Sequence, residues 1–267
     1  MPNIRNVDSP ISLIAHSRSG TSVVFRAFSL HPEVEAVGET ANLIFTTWRA
    51  LEQISGLTRY GRNDCSADAS VLVRNAFLLA FPSPKRNWMH KPIGVPRIWR
   101  DFSDDDLDSF VVWYWRVFQQ SFPNSRTFSV VRHPKDVFLS ARRYHGFPEE
   151  QVWENQALMY RLMANSDGAI RTIVRHADLV SDPERTMRKI CDAVDLTFDP
   201  CMLSAFDVLQ VPAKGTLFGT NEDLLKRRET HFSHRTQHDS IPLAPRASDT
   251  MERYRQLLEQ FDLPDDT

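Results

Sequence analysis

Cysteine is scarce in this chain, and no stretch of it is long and apolar enough to enter a bilayer. Its three cysteines, Cys65, Cys191 and Cys201, show no spacing typical of a metal site or a redox pair. We therefore expect no disulfide framework and a reducing compartment. No apolar run approaches the roughly 20 residues that a membrane-spanning helix needs, and residues 1–10 lack the apolar core of a signal peptide. These absences predict a soluble, cytoplasmic protein without a membrane span.

An excess of charge of one sign is missing too. The 267 residues carry 32 Lys+Arg against 34 Asp+Glu, which gives a formal net charge of −2 and a pI of about 6.5. Nucleic-acid-binding domains usually have a basic excess, so nucleic acid is not an expected partner. Lysine accounts for only 6 of the 32 basic residues. The abundant arginine suits bidentate binding of phosphate or sulfate, although genome base composition explains such a bias equally well.

The sequence does contain a regular alternation of strands and helices. Short apolar runs bounded by turn residues predict strands at 11–15, 34–37, 87–91, 127–131 and 170–174. Helical spacing predicts helices at 21–30, 41–54, 68–81, 103–122 (with Ser103 as its N-cap), 135–143, 149–165, 183–194 and 248–261. This alternation predicts a single α/β domain over residues 1–267, with a mostly parallel central sheet flanked by helices.

Two long stretches interrupt the alternation. Residues 40–125 are rich in helical segments, which we interpret as extra helices inserted beside the sheet. Residues 211–246 contain glycines, prolines and histidines with little periodicity. Long ordered loops are usually functional, so this second stretch is predicted to be a lid-like loop.

The clearest local motif is the turn between the first strand and the first helix, which reads Ser17-Arg18-Ser19-Gly20-Thr21-Ser22. Backbone N–H groups at such a helix N-terminus converge on an anion, and the helix dipole adds to the attraction. Gly20 lets the backbone approach closely, Arg18 supplies a cation, and Thr21 and Ser22 supply hydroxyls. The motif therefore predicts an anion-binding loop of the P-loop type, with a simple N-capping turn as the competing interpretation.

This loop differs from the one that binds ATP or GTP with magnesium. That version reads G-x-x-x-x-G-K-[ST], in which a lysine reaches the β- and γ-phosphates and a hydroxyl binds the metal. Here there is no early glycine, and the cation, Arg18, precedes Gly20. A magnesium-dependent kinase or triphosphatase is therefore disfavoured, and no metal is expected.

Two motifs in this order resemble the sulfotransferases that use 3′-phosphoadenosine 5′-phosphosulfate (PAPS). The strand followed by R-S-G-T-S is similar to the family's 5′-phosphosulfate loop. The second motif is a strand ending in Arg, then x-P-[RK]-D, with a Ser eight residues after the Arg. Here it reads Arg132-His133-Pro134-Lys135-Asp136, followed by Ser140. The resemblance covers residues 10–200 and is nearest to the bacterial and tyrosylprotein branch.

The resemblance implies that Arg132 and Ser140 bind the 3′-phosphate of the donor, and their placement agrees with that role. Arg132 ends a strand at the edge where open α/β sheets bind ligands, and Ser140 follows nearly two helical turns later. Structural alternatives are an ion pair between Arg132 and Asp136, and a bond from Ser140 to its own helix backbone.

For the reaction, the resemblance singles out Glu39 and Lys91. Glu39 follows residues 31–34 at the place where tyrosylprotein-type enzymes carry a catalytic glutamate, so it is the predicted general base. Lys91 stands where many family members place a lysine that contacts the bridging oxygen of the donor. His90, which reverses the K-x-H order of cytosolic members, and His16, inside the loop, compete for the role of base. Each of these side chains also has a structural interpretation, as a surface carboxylate, a strand-end cation or a packed histidine.

The chain departs from the family pattern in two places. In the stretch Arg175-His176-Ala177-Asp178-Leu179, His176 replaces the usual Tyr, so its predicted contact with the nucleotide rests on position alone. The family's C-terminal Arg-Lys-Gly motif is not evident, and its nearest counterparts are Lys214-Gly215 and Ser233-His234-Arg235.

Together these features predict a PAPS-dependent sulfotransferase. The acceptor is a hydroxyl of a small molecule, a carbohydrate or a peptide, and fold alone does not decide among them. Two alternatives stay open: a P-loop nucleotide-dependent kinase, and a protein that binds PAPS or its product without catalysis. The sequence leaves the oligomeric state open.

Overall fold

A sheet of five parallel strands forms the centre of the computed structural model, which describes residues 9–57, 66–81, 85, 87–100, 106–207 and 245–264. The strand order is β2-β3-β1-β4-β5. The strands are β1 (Ile11–Leu13), β2 (Val34–Glu39), β3 (Asn87–Lys91), β4 (Arg126–Val131) and β5 (Ile170–Arg175). All neighbouring strands run parallel, so the predicted α/β fold with a parallel sheet is confirmed.

The position of β1 in the middle of the sheet locates the candidate site. All three residues of β1 are buried, as expected for a central strand that is covered on both faces. β1 pairs with β3 on one side and with β4 on the other. The strand order therefore reverses at β1, and ligands of open α/β sheets bind at this point, beyond the carboxyl ends of the strands.

Helices flank the sheet in nearly the predicted order. They are α1 (Thr21–Leu30), α2 (Thr47–Leu57), α3 (Ser66–Ala80), α4 (Val95–Arg100), α5 (Leu107–Ser121), α6 (Pro134–His145), α7 (Glu149–Ala164), α8 (His176–Ser181), α9 (Pro183–Ala193) and α10 (Pro245–Gln260). A π-helix (Asn42–Thr46) precedes α2, and a 3-10 helix (Pro200–Ala205) follows α9. The sequence pattern misses α4, α8 and the 3-10 helix because six residues are too few to show a helical period.

Helix α5 begins later than the sequence predicts. Its N-cap is Asp106, whose carboxylate accepts hydrogen bonds from the N–H groups of Asp108 and Ser109. The predicted cap, Ser103, lies outside the described residues. Serine and aspartate are equally good N-caps, so a run that offers both residue types does not reveal which one starts the helix.

The helices inserted between β2 and β4 are packed through aromatic side chains. The rings of Phe45 and Tyr114 stack with centroids 4.5 Å apart, which joins the π-helix to α5. The indole N–H groups of Trp48 and Trp113 both donate to the carboxylate of Glu52. Buried aromatic pairs and satisfied indole donors make such a core specific. This core anchors the chain just beyond the end of β2.

The predicted lid-like loop lies almost entirely outside the described residues, because these resume at 245. The two stretches named for the missing C-terminal motif, Lys214-Gly215 and Ser233-His234-Arg235, lie outside them as well. Within the described ranges, no helix has both the length and the apolar character that crossing a membrane requires.

Candidate active site

The loop between β1 and α1 has the backbone geometry of an anion site. Arg18 and Gly20 both adopt left-handed conformations, with φ values of 72° and 93°. Left-handed residues in such a turn gather backbone N–H groups into an anion-binding concavity. Gly20 is the N-cap of α1, makes no side-chain capping bond, and is followed by a first turn without an acidic residue. The positive end of the helix dipole is therefore left for an external anion.

His176 lies directly against this loop. A Cβ atom built on Gly20 would come within 2.8 Å of Cδ2 of His176, a distance that real side chains do not tolerate. Gly20 is thus required twice, for its positive φ and for this close approach. The structure places His176, the first residue of α8, beside the predicted nucleotide loop, where the sequence predicts a nucleotide contact.

The hydroxyl residues of the loop differ in accessibility. Ser19 and Thr21 are buried, Ser17 is half-buried and Ser22 is exposed. The N–H of Ser19 donates to the carbonyl of His16 at 3.4 Å and closes the turn. Ser22 is therefore accessible to solvent, whereas Ser19 and Thr21 are shielded from it.

Arg132 connects the second motif to this loop. It is 4% exposed at the end of β4, and its Nη1 donates to the carbonyl of Arg18 at 3.3 Å. Its Nε lies 3.6 Å from Oδ2 of Asp136, so the ion pair that was the structural alternative for Arg132 is present. Burial lowers the pKa of Arg132, and Asp136 opposes that shift. The ion pair and the bond to Arg18 hold the guanidinium in place beside the loop.

Ser140 and Arg18 are in direct contact. Nε of Arg18 donates to Oγ of Ser140 at 3.0 Å, so this hydroxyl faces the loop and not only its own helix. The Arg18 guanidinium also lies over the ring of Tyr144, 4.3 Å from its centroid, in a cation–π contact. Tyr144 is not part of the second motif, although its position four residues after Ser140 puts both side chains on one face of α6.

Glu39 and Lys91 form a second charged group at the ends of neighbouring strands. The two residues are register partners of β2 and β3, and Nζ of Lys91 lies 3.6 Å from Oε1 of Glu39. The Glu39 side chain is 63% exposed and that of Lys91 only 5%. Nζ of Lys91 also lies 4.9 Å from the ring centroid of Phe25 on α1. Burial lowers the pKa of Lys91, and the Glu39 carboxylate raises it.

The two competing histidines are both buried. His90 is completely buried, with Nε2 2.6 Å from Oγ of Ser12 and Nδ1 2.7 Å from Oγ1 of Thr40. Burial lowers its pKa to about 3, so the ring is neutral at ordinary pH. Nδ1 of His16 is hydrogen-bonded to the carbonyl of Ser17, and the ring is buried. Because both nitrogens of His90 are engaged inside the core, its geometry does not fit the role of a base.

The described residues include no group of three or more His, Cys, Asp or Glu side chains that could hold a metal ion. The charged groups described for the site are the cations Arg18, Arg132 and Lys91, the exposed carboxylate of Glu39 and the less exposed carboxylate of Asp136. Arg18, Arg132 and Ser140 are joined by direct contacts, and Glu39 with Lys91 forms a separate pair linked to α1 through Phe25.

Comparison with known proteins agrees with this architecture. A family model described as the sulfotransferase family matches residues 10–200, well over half of the chain. Among solved structures, the chain is similar to the sulfotransferase domain of the Synechococcus PCC 7002 olefin synthase, with a TM-score of 0.59 and 19% identity. That match covers 99% of this chain and 98% of the other.

A second similar structure is the sulfotransferase domain from the curacin biosynthetic pathway. Its TM-score is 0.56 at 17% identity, covering 96% of this chain and 99% of that domain. No curated protein matches the sequence. The structural likeness confirms the fold, and the family match gives the membership that the two sequence motifs predict. This chain belongs to the sulfotransferase family.

Proposed function

We propose that the protein transfers a sulfuryl group from PAPS to the hydroxyl of an acceptor. The observation that supports this most is the gathering of Arg18, Arg132 and Lys91 at the carboxyl ends of the parallel strands. An exposed carboxylate, Glu39, lies 3.6 Å from the last of these cations. Sulfuryl transfer requires this combination: cations for a polyanionic donor and a base for the acceptor hydroxyl.

The residues of the loop fit a phosphosulfate. The start of α1 has no acidic residue in its first turn, and Gly20 keeps side-chain atoms away from the backbone N–H groups. Arg18 and Arg132 supply forked donors that suit tetrahedral anions. PAPS would bring an activated sulfuryl group to this edge of the sheet. Arg132 and Ser140 would hold its 3′-phosphate, and the loop with Arg18 its 5′ end.

Glu39 and Lys91 have the two remaining roles in the reaction, which are to accept the proton and to stabilise the leaving oxygen. Glu39 is exposed enough for an acceptor hydroxyl to reach its carboxylate, where it accepts the proton. Lys91 keeps a positive charge beside it, buried from water, where charge–charge interactions are stronger than in solvent. That positive charge stabilises the negative charge that grows on the leaving oxygen. His90 takes no part in this chemistry, since both of its ring nitrogens are engaged in the core.

The donor side is tested with adenosine 3′,5′-bisphosphate, the product that PAPS would leave. We expect calorimetry to show micromolar or tighter binding without magnesium. Turnover is followed as formation of the bisphosphate from PAPS with 4-nitrophenol, octanol, glucose and a tyrosine peptide as acceptors. Lack of binding by both nucleotides would contradict the proposal. Binding without turnover would favour a non-catalytic binder, and magnesium-dependent ATP turnover a kinase.

The role of Glu39 is tested with Glu39→Gln. The amide keeps the size of the side chain but cannot accept the proton, and loss of a general base commonly costs ~10²–10⁴-fold in rate. Binding of the bisphosphate should stay within twofold of the wild type. Glu35→Gln, the same change on the same strand, is the matched control and should turn over normally. Unchanged turnover in Glu39→Gln would remove Glu39 as the base.

A further inference from the structure

A row of polar side chains crosses the interior of the sheet. Ser12 of β1 is the register partner of His90 in β3 and of Thr127 in β4. All three residues are buried, with relative exposures of 0%, 0% and 1%. A buried polar group destabilises the fold unless it has hydrogen-bond partners, and apolar residues of similar size would fill the same space without that requirement. A row of three therefore points to a role beyond packing.

Hydrogen bonds join the row into one continuous chain. Oγ1 of Thr40 lies 2.7 Å from Nδ1 of His90, whose Nε2 lies 2.6 Å from Oγ of Ser12. Oγ of Ser12 is 2.8 Å from Oγ of Ser125, which is 3.0 Å from Oγ1 of Thr127. This hydroxyl–imidazole bridge follows the spatial order β2-β3-β1-β4. It links the four strands whose ends carry the candidate site.

The centre of the bridge is shielded from water by aromatic rings. Phe77, Trp88, Phe118 and Phe122 surround His90, with ring centroids 5.0 to 6.2 Å from that of the imidazole. A neutral imidazole has one N–H donor and one acceptor nitrogen, and a hydroxyl can serve either. Ser12 and Thr40 therefore satisfy both ring nitrogens, and the two bonds together fix the orientation of the ring.

The ends of β2 and β3 are joined on both faces of the sheet. Neighbouring residues of a strand face opposite sides, so His90 faces α3 and α5 while Lys91 faces α1. On the α1 face Lys91 pairs with Glu39, and on the other face His90 pairs with Thr40. The backbone N–H of Thr40 also donates to the carbonyl of Lys91 at 3.0 Å. The proposed catalytic pair and the bridge are thus adjacent cross-links between the same two strand ends.

We propose that His90 is a positioning residue, which acts through Thr40 and Ser12 to set where Glu39 and Lys91 lie relative to the anion-binding loop. This inference rests on the proposed function, because it concerns the position of Glu39 and Lys91, the proposed catalytic pair. The Glu39 side chain is too exposed for its own packing to fix the end of β2. A misplacement of about 1 Å can slow a reaction by about 10²-fold, so a bond that fixes this strand end affects the rate directly.

Thr40→Val breaks the bond between Thr40 and His90 with little change of side-chain shape, because it replaces the hydroxyl by a methyl group. Thr40→Ser restores the hydroxyl and should rescue every effect. Thr186→Val is the matched control, because Thr186 is also buried and its hydroxyl donates to the carbonyl of Asp182, the N-cap of α9, away from the bridge. Ser12→Ala breaks the other bond of His90 and provides a second variant if Thr40→Val does not fold.

The first readout is the coupling between Glu39 and Lys91, which needs neither donor nor acceptor. The chain has only six lysines, so the pKa of the Lys91 amine is measurable by NMR of ¹³C-labelled lysine. The Glu39 carboxylate raises that pKa, and Glu39→Gln should therefore lower it. In the Thr40→Val background the same change should have less than about half of that effect, because the strand ends keep their backbone pairing but lose the side-chain bond that fixes their relative position.

The second readout is catalysis. We expect Thr40→Val to reduce turnover of PAPS with 4-nitrophenol at least tenfold, while its affinity for adenosine 3′,5′-bisphosphate stays within twofold of the wild type. A merely structural residue would not separate turnover from nucleotide affinity in this way. Thr40→Ser and Thr186→Val should match the wild type in both measurements.

The outcomes separate the inference from the proposed function. Full Glu39–Lys91 coupling and normal turnover in both Thr40→Val and Ser12→Ala would overturn the inference. Weakened coupling in those variants supports the positioning role of His90, whether or not the wild type uses PAPS. Failure of the wild type to use PAPS would overturn the proposed function alone. Weakened coupling together with slower turnover supports both.

Discussion

His90 should make the fold sensitive to mild acid. Burial lowers the pKa of this imidazole from its ordinary value of 6.5 to about 3. In the unfolded chain the ring binds a proton as the pH falls below its ordinary pKa, whereas in the folded protein it stays neutral until much lower pH. Between the two pKa values the unfolded state therefore carries the extra proton. Stability from this group is complete above the unfolded pKa and declines as the pH falls towards the folded one.

The size of the effect follows from the two pKa values. For one group with this shift, linkage gives a loss of about 2 kcal/mol in the free energy of unfolding between about pH 7.5 and about pH 5. The limiting slope is about 1.4 kcal/mol per pH unit, which corresponds to one proton. His90→Gln removes the titrating group and keeps an amide that can still bond with a neighbouring hydroxyl.

The assay is urea unfolding followed by tryptophan fluorescence over this pH range. The other eight histidines and all carboxyl groups are common to wild type and His90→Gln, so the difference between the two curves isolates His90. We expect the wild type to lose about 2 kcal/mol more than the variant on acidification to about pH 5. Parallel curves would refute the reasoning, because they would show that the ring titrates alike in the folded and unfolded chains.

Three further substitutions test other parts of the account. Gly20→Ala puts a methyl group 2.8 Å from His176 at a φ of +93°, and thermal unfolding should show a loss of about 1–3 kcal/mol; unchanged stability would contradict the close approach. Arg132→Lys keeps the charge but loses the fork beside Asp136, so the Kd of the bisphosphate should rise about tenfold in calorimetry; an unchanged Kd would argue for a purely structural Arg132. Asp106→Ala removes the N-cap of α5 and should lower the midpoint of urea unfolding; an unchanged midpoint would point to another cap.

Much of the fold was predictable because the decisive signals are local. The strands β1 and β4 are short apolar runs bounded by turns. The loop that follows β1 is predicted from the glycine and hydroxyl residues at the start of α1. Glu39 and Lys91 were each predicted at a strand end, and parallel strands bring their carboxyl ends to one edge. What the sequence did not give is the strand order, in which β3 is inserted between β2 and β1 and makes these two residues partners.

The role of His90 was not predictable by the same means. Its likeness to a family pattern makes it a candidate base, whereas its environment is decided by residues far away in the chain. Ser12 and Thr40 are 78 and 50 positions from it, and the aromatic rings around it come mainly from α3 and α5. Local patterns carry no information on such contacts, because these depend on how strands and helices pack.

Local sequence patterns also fail to show the contacts of Tyr144 and His176 with the loop between β1 and α1. Tyr144 lies under the guanidinium of Arg18 because the end of α6 approaches the loop, and His176 touches Gly20 because α8 starts beside it. The contact of His176 follows from the parallel arrangement of β1, β4 and β5, which brings the starts of α1 and α8 to one edge, whereas that of Tyr144 involves the far end of α6. Spacing along the chain indicates Tyr144 only after Ser140 has been placed at the site.

The central claim is that this edge of the sheet binds the sulfuryl donor. The most direct measurement is a crystal structure of the protein with adenosine 3′,5′-bisphosphate. We expect the 5′-phosphate at the N-terminus of α1 beside Arg18 and the 3′-phosphate at Arg132 and Ser140, with Glu39 and Lys91 facing the 5′ end. A nucleotide bound away from this loop, or bound there with its two phosphates exchanged, would contradict it.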